Sequence, residues 1–140
     1  MFKEINKIWL EQAGICFEIR AVDHDRRIGN GIDMWFSPDT GIWNGYYDGE
    51  IIQMNDAPVL APAPQPAQSP AARTAAHELG HALGLPHRQN SDDNLMRSKT
   101  YGYQLNDREI AEARAKAEEM ALEPANSRLC AEPKIRVDRR

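Results

Sequence analysis

The segment HELGHALGLPH, residues 77–87, holds three of the four histidines of the chain. His77 and His81 are four residues apart, so on a helix they project from the same face, one turn apart. Two imidazoles placed in this way can direct ring nitrogens at a single metal ion. His87 follows six residues later and could not reach that ion if the helix continued. The spacing therefore predicts a three-histidine metal site only if the chain turns before His87.

The residues between His81 and His87 favour such a turn. Gly84 can adopt the left-handed conformation that ends a helix, and Pro86 cannot continue one. Three neutral imidazoles suit Zn²⁺, with Zn–N distances of about 2.0–2.1 Å, and leave the fourth position to water. A zinc ion with an open position is typical of catalysis, so the segment predicts one catalytic Zn²⁺ ion.

Glu78 supplies the second part of the predicted chemistry. Its position beside the first histidine is that of the general base which takes a proton from a zinc-activated water. The residues thus predict a zinc-dependent endopeptidase, in which water attacks a peptide carbonyl and Glu78 passes the proton to the leaving nitrogen. The alternative is a zinc-binding but catalytically inactive peptide- or protein-binding module, and the intact Glu78 weighs against it. A structural zinc site would need a fourth ligand, which only Cys16, Cys130 or His24 could provide.

The apolar pattern predicts the elements that must position these residues. Alternation and helical spacing indicate three helices and three strands, with a loop over 37–49. The helices are predicted over 4–13, from Ser69-Pro70 to about Leu83, and over 107–121, and the strands over 15–22, 32–36 and 49–55. The second helix carries the first two histidines and Glu78.

The chain is predicted to form one domain over 1–140. Residues 57–70 hold five of its nine prolines, which predicts an internal connector without regular structure. Residues 122–140 are predicted to form a tail. Cys16 and Cys130 are either ordinary thiols or one disulfide that ties this tail to the core.

Composition excludes several classes of function. With 17 basic and 21 acidic residues the formal net charge is -4, which argues against nucleic acid as a partner. No apolar run approaches the roughly 18 residues that span a bilayer, so no membrane partner is expected. The first residues lack the apolar segment of a secretory signal, so the chain is either intracellular or a piece from which the targeting segment has been removed.

The motif also resembles a known family. HELGHALGLPH fits HExxHxxGxxH, and Met96, nine residues after His87 in DDNLMR, agrees with the Met-turn that follows this signature in metzincin zinc metalloproteases. Over residues 4–121 the chain looks closest to the matrixin-like branch. The resemblance implies a zincin catalytic domain of α/β (α+β) class: a small twisted mixed sheet, a helix behind it, an active-site helix and a C-terminal helix. It also implies a hydrophobic floor from Met96, a monomer, and a secreted or extracytoplasmic location.

The sequence contains no recognisable segment typical of a structural calcium site or a second zinc site. We therefore expect one catalytic zinc ion and leave calcium open. We expect a peptide substrate to bind in extended form along an edge strand near 49–55. Side-chain preference should come from a pocket walled by the active-site helix and by Leu95, Tyr101 and Tyr103.

Overall fold

The computed structural model describes residues 1–19, 31–38, 44–55, 69–98 and 102–120. Within these ranges the protein is a small mixed α/β protein with three helices and a three-stranded sheet. The elements, in chain order, are α1 (Phe2–Ala13), β1 (Asp33–Ser37), β2 (Gly45–Tyr47), β3 (Ile51–Asn55), α2 (Pro70–Ala82) and α3 (Asp107–Met120). His24, Tyr101, Cys130, the predicted tail and all but the last two residues of the predicted connector lie outside the described residues.

Helix α1 confirms the first predicted helix. Ile5, Ile8 and Trp9 are fully buried on one side, and the helix ends at Gly14 as expected. The next residue, Leu10, is 40% exposed. One residue beyond Trp9 is about 100° further round the helix, and that rotation takes Leu10 away from the core.

Helix α2 confirms the second predicted helix and lies at the centre of the fold. Its N-cap is Ser69, whose hydroxyl accepts a hydrogen bond from the backbone N–H of Ala72 at 3.2 Å, and Pro70 occupies the first turn. The carboxylate of Glu4 in α1 accepts hydrogen bonds from the backbone and side chain of Ser69, at 2.9 and 3.1 Å. α2 contacts α1, β2 and β3, which explains why ten of its residues are buried.

The sheet has the strand order β1-β3-β2. β1 and β3 confirm the strands predicted over 32–36 and 49–55, and they pair in parallel, while β2 pairs with β3 antiparallel. The prediction that 49–55 is an edge strand is wrong, because β3 has a partner on both sides. Its Ile52 and Met54 are fully buried, as suits a central strand. β2 lies within the segment predicted as a loop.

The strand predicted over 15–22 is not formed over 15–19, and residues 20–22 lie outside the described part of the chain. Here the side chain of Asn6 forms the hydrogen bonds to the backbone of Phe17 that a neighbouring strand would otherwise form. The Asn6 amide donates to the carbonyl of Phe17 at 3.0 Å, and its oxygen accepts from the N–H of Phe17 at 2.7 Å.

Cys16 is disulfide-bonded, so it is not a free thiol, and the only other cysteine of the sequence is Cys130.

Helix α3 confirms the last predicted helix. The side chain of Asn106 accepts from the backbone N–H of Glu109 at 2.9 Å and so caps the helix. Arg114 donates to the carbonyl of Ala13 at 2.6 Å and joins α3 to the end of α1.

None of the helices in the described ranges has the length and apolar character needed to cross a bilayer.

Candidate metal centre

The three histidines of the segment 77–87 meet at one point. Their Nε2 atoms form a nearly equilateral triangle: 3.1 Å from His81 to His77, 3.1 Å from His81 to His87, and 3.2 Å from His77 to His87. Two nitrogens bound tetrahedrally to one zinc ion would lie about 3.3 Å apart. The spacing of the three nitrogens therefore fits a shared metal ion.

Hydrogen bonds fix the tautomers of the two helical histidines. Nδ1 of His77 lies 2.7 Å from the carbonyl oxygen of Leu95, and Nδ1 of His81 lies 2.7 Å from that of Leu85. A carbonyl oxygen can only accept, so in both rings Nδ1 carries the hydrogen and Nε2 has the lone pair. Lone pairs directed at one point repel each other unless a cation lies between them. The cluster of His77, His81 and His87 could accordingly hold a metal ion.

The turn that returns His87 to the site follows α2 directly. Gly84 has φ 85°, the left-handed conformation predicted for it. The N–H groups of Gly84 and Leu85 donate to the carbonyls of His81 and Gly80, each at 2.9 Å, a pairing that satisfies the free carbonyls at a helix end.

Residue 88 then anchors His87 from its other side. The backbone N–H of Arg88 donates to the carbonyl of Met96 at 3.0 Å, and its Nε lies 2.5 Å from the carboxylate of Glu109 in α3. Glu109 is buried and also accepts from the side chain of Asn94. The third histidine is thus held by its chain neighbours, although its own side chain is exposed.

Burial keeps the helical imidazoles neutral in the metal-free protein. His77 is 5% exposed, and burial lowers its pKa to about 3 although the hydrogen bond to Leu95 opposes the change. Burial also lowers the pKa of His81. Neutral imidazole is the form that binds metal ions, so His77 is in the binding form well below neutral pH, and the lowered pKa of His81 favours the same form.

Glu78 directly follows His77 on α2 and is 6% exposed. Burial raises the pKa of its carboxyl to about 7, while a hydrogen bond from the backbone N–H of Tyr47 and the positive charge of Arg73 act in the opposite direction. The Tyr47 bond fixes the carboxylate between α2 and β2. A carboxyl with a pKa near neutrality can both accept and return a proton at ordinary pH.

Met96, the residue expected to form a hydrophobic floor, packs against α2 at Gly80. It is fully buried, and its sulfur packs against Gly80, where any Cβ would overlap it. Leu95 does not wall a pocket as expected, because it is also fully buried in the core. Tyr103 is half-buried, and its carbonyl accepts from the side chain of Gln12 at 2.7 Å.

Sequence reasoning missed Arg73. Its side chain is inside the protein and donates to three backbone carbonyls: Gly102 at 3.1 Å, Leu95 at 2.9 Å and Arg97 at 2.8 Å. The available signal was its position four residues before His77, which places both on one face of α2.

Comparison with known proteins adds no assignment: no family model, no curated protein and no solved structure matches this chain.

Proposed function

We propose that this protein is a zinc-dependent endopeptidase with a metzincin-type, matrixin-like catalytic domain. The observation that carries the proposal is the convergence of three Nε2 atoms within 3.1–3.2 Å of one another, on a helix that also carries the buried Glu78 directly after His77. In this proposal His77, His81 and His87 hold the zinc ion. A zinc ion bound by three imidazoles polarises a carbonyl and acidifies water at its open position.

Glu78 is the group of this chain that moves the proton. Its raised pKa suits a base that takes a proton from water and returns it to the departing amine. The N–H of Tyr47 orients the carboxylate, so the base is held by the backbone of β2 and is not free to rotate. A general base of this kind contributes roughly 10²–10⁴-fold to a rate.

The substrate in this proposal lies along β2, which replaces the edge near 49–55 that the sequence suggested. The described residues contain no strand on the outer side of β2. Asn44 and Asp48, which flank β2, bond to β3 through their backbones. Because alternate residues of a strand direct their backbone groups to the same side, Gly45 and Tyr47 direct theirs away from β3. On that side the N–H of Tyr47 donates to Glu78, so an added peptide strand would pair with the backbone of Gly45 and with the carbonyl of Tyr47.

The disulfide of Cys16 supports the proposed secreted or extracytoplasmic location, since such bonds persist in oxidising compartments. We also propose that the protein is a monomer.

Metal content measured together with cleavage of a mixed peptide library tests the function. We expect the wild type to bind one zinc ion and to cut internal peptide bonds. Glu78→Gln should retain the zinc and lose at least 10²-fold in rate, because its side chain cannot accept the proton. Glu112→Gln, on the exposed side of α3, is the matched control and should behave as wild type.

Two results would contradict the proposal. Wild-type turnover in Glu78→Gln with equal zinc content would remove Glu78 from the chemistry. A zinc-bound wild type that binds peptides but never cleaves them would favour the inactive binding module.

A further inference from the structure

Arg73 is a charged side chain inside the protein, with 6% of its surface exposed. Burying a guanidinium is costly unless its donors are satisfied. Here two of its nitrogens donate to three carbonyls at 2.8–3.1 Å. These partners are all backbone carbonyls, and the carboxyl of Glu78 interacts with the guanidinium through its charge.

The three carbonyls belong to one part of the chain. Leu95 and Arg97 flank Met96, which packs against Gly80 of α2, and Gly102 lies five residues before the start of α3. One side chain on α2 thus holds this segment at both of its ends. A planar guanidinium with a fork of five donors can bond several acceptors at fixed angles, whereas a lysine ammonium is a single point of charge.

The carbonyl of Leu95 connects Arg73 with the metal centre. It accepts from Nη2 of Arg73 at 2.9 Å and from Nδ1 of His77 at 2.7 Å. The position of this oxygen therefore sets the rotation of the His77 ring and the direction of its Nε2 lone pair. Arg73 and His77 are one turn apart on α2, so the same helix carries the metal ligand and the side chain that fixes the ligand's acceptor.

We propose that Arg73 is a positioning residue of the metal centre: through the carbonyl of Leu95 it orients His77, and through the carbonyls of Arg97 and Gly102 it fixes the backbone on either side of that segment. The inference rests on the proposed metal site, although not on peptide cleavage. Its charge also acts on Glu78, whose carboxyl lies close enough for mutual electrostatic effects. Groups that orient a histidine ligand typically change metal affinity by about 10–100-fold when they are lost.

Cobalt substitution tests the role of Arg73, because the visible spectrum of bound Co²⁺ reports ligand geometry directly. Arg73→Met removes every donor and is compared with Arg114→Met, the control that removes an arginine bonded to the carbonyl of Ala13 away from the site. We expect Arg73→Met to alter the cobalt spectrum and to weaken zinc binding by about 10–100-fold in chelator competition. Arg114→Met should keep the wild-type spectrum and affinity.

Arg73→Lys serves as the second variant if Arg73→Met does not fold. It keeps the positive charge but cannot serve three carbonyls with the same geometry, so we expect a shifted spectrum and about 10-fold weaker zinc binding. Spectra and affinities of the folded Arg73 variants equal to those of Arg114→Met would overturn the inference. A wild type that binds no cobalt would overturn both proposals, whereas one that binds cobalt normally without cleaving peptides would overturn the peptidase alone.

Discussion

At the scale of single residues, the buried imidazole of His77 links the stability of the metal-free protein to pH. Its folded pKa of about 3 is below the usual 6.5, so the unfolded chain takes up a proton that the folded protein does not. The free energy of unfolding should therefore fall as pH is lowered from about 6.5 towards 3. One proton of difference corresponds to roughly 1.4 kcal/mol per pH unit.

His77→Asn isolates this contribution in metal-free protein, because the asparagine amide can still donate to the carbonyl of Leu95. We expect wild type to lose stability more steeply than His77→Asn between pH 6 and 4, by about 1.4 kcal/mol per unit. Urea unfolding at several pH values, with chelator present, measures both slopes. Contributions from Glu78 and His81 occur in both proteins, so equal slopes would mean that His77 is not held neutral.

The cluster of three histidines could be predicted from the sequence because its geometry is local. Four residues on a helix fix a distance, and Gly84 permits the turn. Arg73 could not be predicted in this way, since an isolated arginine on a helix is usually solvated. Its burial depends on carbonyls of a segment more than twenty residues away along the chain.

At the scale of elements, α2 packs tightly against the segment that contains Met96, and the contact is made at Gly80. Two effects oppose each other in Gly80→Ala. Alanine favours a helix by about 1 kcal/mol relative to glycine, but its Cβ would overlap the sulfur of the buried Met96. Overpacking of a filled core costs about 1–3 kcal/mol. Since Met96 has no exposed space to move into, we expect net destabilisation of about 1 kcal/mol.

A double-mutant cycle separates the two effects of Gly80→Ala. In a Met96→Ala background the overlap is absent, so Gly80→Ala should become neutral or stabilising. Chemical unfolding of the four proteins provides the measurement. If Gly80→Ala destabilises both backgrounds equally, Met96 is not the cause.

The elements themselves were predictable to different degrees. α1, α2 and α3 have helical periodicity and local caps such as Ser69 and Asn106, so their bounds follow closely from the sequence. β2 has only three residues, too few for an alternating pattern. The position of β3 between β1 and β2 depends on pairing between distant segments, which apolar alternation does not encode.

At the scale of the whole molecule, the proposed metal site lies where distant parts of the chain meet. Two ligands belong to α2 and the third to the segment after it. Arg88 ties that segment to Glu109 of α3, and Trp9 of α1 donates to the carbonyl of Ala76 at 3.2 Å. A metal ion bound by the three histidines would thus cross-link an arrangement that exists only in the folded chain, and it should stabilise the whole fold.

Thermal unfolding with and without chelator tests that coupling. At free zinc of about 100 times Kd, binding adds about 2.7 kcal/mol to the free energy of unfolding, which for a chain of this size raises Tm by roughly 5–10 °C. His81→Asn removes one ligand and should show a much smaller rise at the same zinc concentration, while its chelated form unfolds near the chelated wild type. The coupling is refuted if zinc leaves the wild-type Tm unchanged, or if it raises the Tm of His81→Asn by the same amount, because the ion would then bind elsewhere.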